Sequence, residues 1–186
     1  NVTIKNVGLN KTRSGLIDIL LSMGAAIKIS NKKIKCNEEV GDIHVSSSEL
    51  KGVYVPETIV PNIIDEIPIL SIAAIFAEGT TTIKNASELK VKESDRLNAI
   101  TDGLSKLKIS HQLFDDGLSI EGCGGKIDTY ETINSFDDHR IAMSFLVAGA
   151  RSKNGIIVRD CKNIETSFPN FTMLMNNLGM SINEKD

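Results

Sequence analysis

Three stretches of the chain repeat one hydrophobic pattern: a short β-type run, a polar loop, an amphipathic helix and a further strand. The first copy has Val2 to Asn6, then Leu16 to Met23, then Ala26 to Ile29. The second has Thr81 to Asn85, then Leu97 to Leu107, then Ile109 to Leu113. The third has Ile156 to Asp160, then Phe171 to Leu178, then Met180 to Ile182. Ile4, Ile83 and Val158 take equivalent places. Leu97, Ile100, Leu104 and Leu107 follow helical spacing and predict one buried face.

A second kind of helix precedes two of the three β-runs, from about Asp65 to Ala77 and from about Asp138 to Ala150. Both are apolar nearly all round, so both are expected to be buried. Each opens on an Asp, where a carboxylate caps free N–H groups and faces the positive end of the helix dipole. Ser71 and Ser144 match under the same alignment. The first copy lacks this leading helix, and the third lacks a closing hairpin strand.

The expectation is a single α/β (α+β) domain over residues 1–186 with pseudo-threefold internal repetition and buried helices. Its repeats span roughly 1–50, 51–124 and 125–186, and the chain reads as cut from a longer protein.

Composition supports a packed core, with 41% apolar and 24% charged residues. A net charge of −3 with interspersed signs predicts neither a nucleic-acid nor a membrane surface. The longest apolar run, Ile67 to Ala77, is too short to span a bilayer. Cys36, Cys123 and Cys161 are odd in number and widely spaced, so they read as reduced thiols of a cytoplasmic protein, with no disulfide or metal framework. Gly122-Cys123-Gly124-Gly125 opens no helix and lacks a Lys-Ser/Thr ending, so it reads as a turn. His44 and His111 lie in strand-like runs and read as structural.

Candidate chemistry sits at helix starts. Lys92-Glu93-Ser94-Asp95-Arg96 opens the second amphipathic helix. It reads as a cap by Ser94 or Asp95 with a Glu93–Arg96 surface pair. The two cations, unfavourable at a helix N-terminus without an anion, point instead to an anionic ligand. Asp138-His139-Arg140 poses the same choice: a capped start, or a guanidinium set for bidentate binding of carboxylate or phosphate beside a titratable histidine. Asp65-Glu66 occupies the matching place in the other buried helix. Helix starts gathered at one end would bring Asp65, Glu93 and Asp138 together with Lys92, Arg96 and Arg140. That cluster suits an anionic substrate needing both proton transfer and charge neutralisation.

Leu89 to Leu97 resembles the L-x-V-K-E-[ST]-D-R signature of the 5-enolpyruvylshikimate-3-phosphate (EPSP) synthase family. Asp138 to Ser144 resembles that family's D-H-R-[IM]-A-M segment, and Thr166 to Phe171 its T-[SF]-F-P stretch. Thr12-Arg13-Ser14-Gly15 and Asp65-Glu66-Ile67-Pro68 also look like family segments. The resemblance covers essentially the whole chain but only the C-terminal half of the family's length.

The resemblance implies a domain of three βαβαββ units. It implies transfer of the enolpyruvyl group of phosphoenolpyruvate to the 5-hydroxyl of shikimate-3-phosphate, releasing phosphate, in the shikimate pathway to aromatic amino acids. No metal and no organic cofactor takes part, and the missing N-terminal domain is the partner. By resemblance Glu93 donates the proton to the methylene carbon and later accepts one, Asp65 positions and helps deprotonate the hydroxyl, and His139 supports proton transfer. Lys92 contacts shikimate-3-phosphate. Arg96 and Arg140 hold the carboxylate and phosphate of phosphoenolpyruvate, with Asp138 orienting them. A carboxyl beside a second anion would stay protonated.

Two departures stand out. Thr166 occupies the place of a lysine that some members carry, and Glu88 the place of an asparagine that contacts substrate in some. The competing readings are a UDP-N-acetylglucosamine enolpyruvyltransferase half and a non-catalytic ligand-binding module.

Overall fold

A computed structural model describes residues 1–125, 127–128 and 131–184. The pattern of the first copy becomes β1 (Val2–Gly8), α1 (Gly15–Ser22), β2 (Ala26–Lys35) and β3 (Glu38–Ser46), with the strands in an antiparallel sheet ordered β1-β3-β2. The second copy gives α2 (Ile67–Ile75), β4 (Glu78–Ile83), α3 (Arg96–Lys106), β5 (His111–Phe114) and β6 (Gly117–Cys123), again antiparallel and ordered β4-β6-β5. The third gives β7 (Thr132–Asn134), α4 (His139–Gly149), β8 (Ile157–Arg159), α5 (Asn163–Ser167) and α6 (Phe171–Asn177), with β7 and β8 parallel. Lys51 and Tyr54 bridge Glu78 and Thr82 in parallel, so a strand-like segment precedes α2 just as β7 precedes α4. Each copy thus places an amphipathic helix after a strand, and the second and third copies place a buried helix before that strand.

The core lies where α2 and α4 meet each other and the inner face of α3. Ile67, Leu70 and Ile75 of α2, Ile141 and Phe145 of α4, and Leu97, Ile100 and Leu104 of α3 are all buried. Each such side chain contributes about 1.5–3 kcal/mol by leaving water. Contact between α3 and α4 is close enough to require glycine: a Cβ on Gly103 would stand 2.1 Å from Phe145 Cζ.

Three expectations are corrected here. Met180 to Ile182 forms no strand. The backbone of Ile182 instead exchanges two hydrogen bonds with the Asn176 amide, folding the chain back onto the end of α6. An apolar run becomes a strand only when a neighbour supplies its ladder partners, and none does so among the described residues. Asp65 does not cap α2. It lies in a 3-10 turn, Ile64–Glu66, that leads into the helix with Pro68 in its first turn, and no side chain caps that start. The polar loop between β8 and α6 contains α5, at the position where a 3-10 turn, Ser87–Val91, separates β4 from α3. Lys126, Thr129, Tyr130, Lys185 and Asp186 lie outside the described residues, so the proposed third repeat over 125–186 is described only in part.

His44 is held between Thr3 and Ser30, and His111 between Ser105 and the Ile109 carbonyl. The cysteines are free, and burial, then the Asp160 and Glu184 carboxylates, push the Cys161 thiol up. Gly122 lies in β6, and Gly124 turns with φ +60°.

Candidate active site

Two helix starts are fixed by the caps their sequences suggest. Asp95 caps α3 by accepting from the Asn98 backbone N–H at 3.1 Å and the Asn98 amide at 2.7 Å. Ser94 is therefore free of capping, and its hydroxyl donates to Asp138 Oδ2 at 3.1 Å. Asp138 caps α4 through Oδ1, which accepts from the Arg140 N–H at 2.9 Å and the Ile141 N–H at 3.4 Å. Its Oδ2 accepts from Ser94 and from Arg96 Nε, the latter at 2.8 Å. One fully buried carboxylate thus joins the start of α3 to the start of α4.

Arg96 is the centre of the arrangement, not half of a surface pair. Its side chain is 1% exposed, and each guanidinium nitrogen meets a different carboxylate. Nε donates to Asp138, Nη1 to Asp65 Oδ1 at 3.0 Å, and Nη2 to Glu93. The expected convergence of Asp65, Glu93 and Asp138 with Lys92, Arg96 and Arg140 is what the structure contains. Lys92 Nζ lies 3.5 Å from Asp65 Oδ1 and also pairs with Glu88. Arg140 Nη1 donates to the Asp65 backbone carbonyl at 2.9 Å and stands 3.6 Å from Glu66. Arg13, in the loop before α1, reaches Glu66 at 3.9 Å. His139 opens α4 half-buried, and no hydrogen bond or ion pair to its imidazole occurs among the described residues.

Glu66, Glu88, Ser94 and Arg13 belong to the cluster although the sequence did not single them out as site residues. Glu88 carried a signal, one helical turn before Lys92. Ser94 carried a weaker one, as the polar neighbour left over once Asp95 takes the cap. Arg13 and Glu66 were marked only as members of the segments Thr12-Arg13-Ser14-Gly15 and Asp65-Glu66-Ile67-Pro68, with no role assigned.

The surrounding cations set the electrostatics of two carboxyls. Burial pushes the Asp65 carboxyl up, but Arg140, Lys92 and Arg96 outweigh it and hold it below 3.8. Burial likewise pushes Asp138 up, and the hydrogen bond and charge of Arg96 with two backbone N–H groups bring it below 3.8. These carboxyls are kept ionised by cations; neither is kept protonated by a neighbouring anion. Hydrogen bonding to Glu88 raises Lys92 in the same sense.

A pH dependence follows from Asp138. Its folded value is depressed, so its contribution is complete above the unfolded value. It is lost as pH falls through the folded one, from about pH 5 downward. Asp138→Asn is expected to be less stable at pH 7 by roughly 1–3 kcal/mol and to lose less on acidification. Urea unfolding at pH 7, 5 and 3 checks this. Parallel loss in both proteins would remove Asp138 from the account.

Among the described residues, no three His, Cys, Asp or Glu side chains stand where they could hold a metal ion, and no helix is long and apolar enough to cross a membrane.

The architecture has solved counterparts. An enolpyruvyl transferase from Streptomyces tendae superposes with a TM-score of 0.69 at 17% identity, covering 98% of this chain and 39% of that one, and bears on the fold alone. EPSP synthase from Acinetobacter baumannii superposes with a TM-score of 0.96 at 43% identity, covering 100% of this chain and 43% of that one. The fold is that of an enolpyruvyl-transferase domain.

The match narrows further. The family model of EPSP synthase (3-phosphoshikimate 1-carboxyvinyltransferase) matches residues 1–175, and the chain belongs to that family. It is 47% identical over 184 residues to the 3-phosphoshikimate 1-carboxyvinyltransferase of Legionella pneumophila strain Corby, covering 99% of this chain and 42% of that protein. It is 45% identical over 181 residues to that of Coxiella burnetii strain RSA 493, covering 97% and 41%. The chain thus spans well under half the length of these relatives.

Proposed function

We propose that this chain forms one wall of an active site that transfers the enolpyruvyl group of phosphoenolpyruvate to the 5-hydroxyl of shikimate-3-phosphate, releasing phosphate. The observation that carries the reading is the convergence of Asp65, Glu93 and Asp138 on the buried Arg96, with Lys92 and Arg140 at its edge. The names of the relatives supply 3-phosphoshikimate and the carboxyvinyl group, and the family resemblance implies phosphoenolpyruvate as the donor. The opposite wall belongs to the remaining length of those relatives.

The cluster contains the groups this chemistry needs. The alkene carbon must gain a proton while the hydroxyl loses one. Asp65, ionised and facing Lys92 and Arg140, is placed to orient the attacking hydroxyl and take up its proton. Arg140 supplies a planar fork for carboxylate or phosphate, and Lys92 a point charge for the sugar-like phosphate. Asp138 positions both arginines through its carboxylate, which accepts from the Arg96 side chain and from the Arg140 backbone N–H. His139, at the same helix start, is free to relay a proton.

Each guanidinium nitrogen of Arg96 already meets a carboxylate in this state, so a ligand anion that takes over one of these contacts displaces that carboxylate. Glu93 is 50% exposed, the most exposed of the three and the one that costs least to release. Released beside an incoming anion, it is the carboxyl group available to donate the proton.

The test is phosphate release from phosphoenolpyruvate and shikimate-3-phosphate. This chain alone should show no turnover, because aligning two reactants is worth several kcal/mol that one wall cannot supply. Mixing with the remaining region of a full-length relative should restore turnover. Full activity from the chain alone would overturn the one-wall reading, and silence of the intact enzyme would overturn the assignment.

A further inference from the structure

We infer that Arg13 is a substrate-binding residue of this site, paired with Arg140 in a two-arginine clamp for a phosphate or carboxylate group, and that Glu66 holds the ligand's place. The inference rests on the functional reading above.

The loop carrying Arg13 is built, not loose. The Asn10 side chain accepts from both the backbone N–H and the hydroxyl of Thr12, at 3.0 and 2.9 Å. The Asn10 carbonyl accepts from the Arg13 and Ser14 N–H groups. Gly15 then presses on the segment that leads to Asp65 and Glu66, where a Cβ would stand 2.8 Å from the Ile63 side chain. The turn and this contact fix the Arg13 backbone above the cluster.

Glu66 Oε1 lies 3.9 Å from Arg13 Nη2 and 3.6 Å from Arg140 Nη1. One carboxylate oxygen between two guanidinium groups from distant elements is the arrangement that an oxyanion of a ligand would adopt. Among the described residues the ion-paired carboxylates of the cluster, Asp65, Glu66, Glu88, Glu93 and Asp138, outnumber Lys92, Arg96 and Arg140. An anionic ligand therefore needs a further cation. Arg13 is the one best able to turn: its side chain is 66% exposed and its pair with Glu66 is long. Long, exposed pairs of that kind are weak, so a ligand anion exchanges for Glu66 at small cost. Exposure rises outward from Arg96 to Arg140 to Arg13, so an arriving anion meets Arg13 first.

The experiment uses the full-length enzyme carrying this chain, with the variants Arg13→Ala, Arg13→Lys, Glu66→Gln and Arg140→Ala. KM and kcat are measured for phosphoenolpyruvate and for shikimate-3-phosphate separately, at low and high salt. Arg13→Ala should raise KM for one of the two by about tenfold while kcat changes less than about twofold, since only binding shared by ground and transition states is lost. The substrate affected identifies which anion the clamp holds. Arg13→Lys should recover part of the loss, and the penalty should shrink at high salt. Glu66→Gln should move the same KM downward.

KM values unchanged in Arg13→Ala, with Arg140→Ala impaired, would overturn the inference and leave the functional reading standing. No effect in either variant would overturn both. A KM that rises in both Arg13→Ala and Glu66→Gln would make the pair a structural strut and overturn the clamp.

Discussion

Arg96→Leu is expected to destabilise the chain by about 3–5 kcal/mol at pH 7, the largest stability effect of any single substitution at the site. Leucine fills much of the space and keeps helix propensity, so the loss is not chiefly one of packing. It comes from Asp138, a buried carboxylate left without its counterion. Asp138 is fully buried, and Asp65 is drawn in beside it by the same guanidinium. With Arg96 absent, burial and mutual repulsion push the Asp138 carboxyl above its unfolded value.

The sign of the pH dependence then reverses. In the native chain acid weakens the fold by protonating a carboxylate that Arg96 stabilises. In the variant acid strengthens it by neutralising a buried charge that has lost its counterion. The deficit should therefore narrow from pH 7 to pH 4, read by urea midpoints for both proteins at each pH. Arg96→Lys keeps a charge but cannot serve three carboxylates at once, so it should fall between. A deficit below about 1 kcal/mol, or one that is the same at both pH values, would mean that Arg96 is a packing residue.

The burial that makes Arg96 so consequential is also what the sequence concealed. Lys92 to Arg96 is five polar residues at a helix start, and local rules send such residues to solvent. The partners that bury Arg96 lie 31 and 42 positions away, at Asp65 and Asp138. Only the repeat alignment, which set Asp65 opposite Asp138, hinted that these elements converge.

Elements governed by local rules were legible. The periodic face of α3, the buried stripe of α4 and the caps by Asp95 and Asp138 follow from neighbouring residues. Elements governed by distant partners were not. Asp65 has the look of a cap, but three cations draw its carboxylate away from the helix start. Met180 to Ile182 has the look of a strand with no described edge to join. Arg13 enters through the packing of Gly15 on Ile63, which no local pattern encodes.

Glu93→Gln in the full-length enzyme is expected to lower kcat by at least ~10²-fold with little change in either KM. Glutamine is nearly isosteric and can still accept from Arg96 Nη2 through its carbonyl oxygen, so the ligand-free arrangement survives. What it lacks is an acidic proton. Once the substrate carboxylate takes over Arg96, glutamine is released to the same place but cannot protonate the methylene carbon or recover the proton later. The proposed exchange also predicts which quantity is spared. Glu93 competes with the ligand for Arg96, and a neutral amide competes less. Ligand affinity should therefore hold or improve slightly while turnover collapses, a split that a lost binding contact would not produce. Single-turnover kinetics with the variant should show normal substrate binding and a slowed chemical step. Unfolding midpoints should match the parent, because the side chain is half in solvent. Turnover within a few-fold of the parent would return Glu93 to an ordinary carboxylate at the start of α3 and leave the proton donor to be found elsewhere in the cluster.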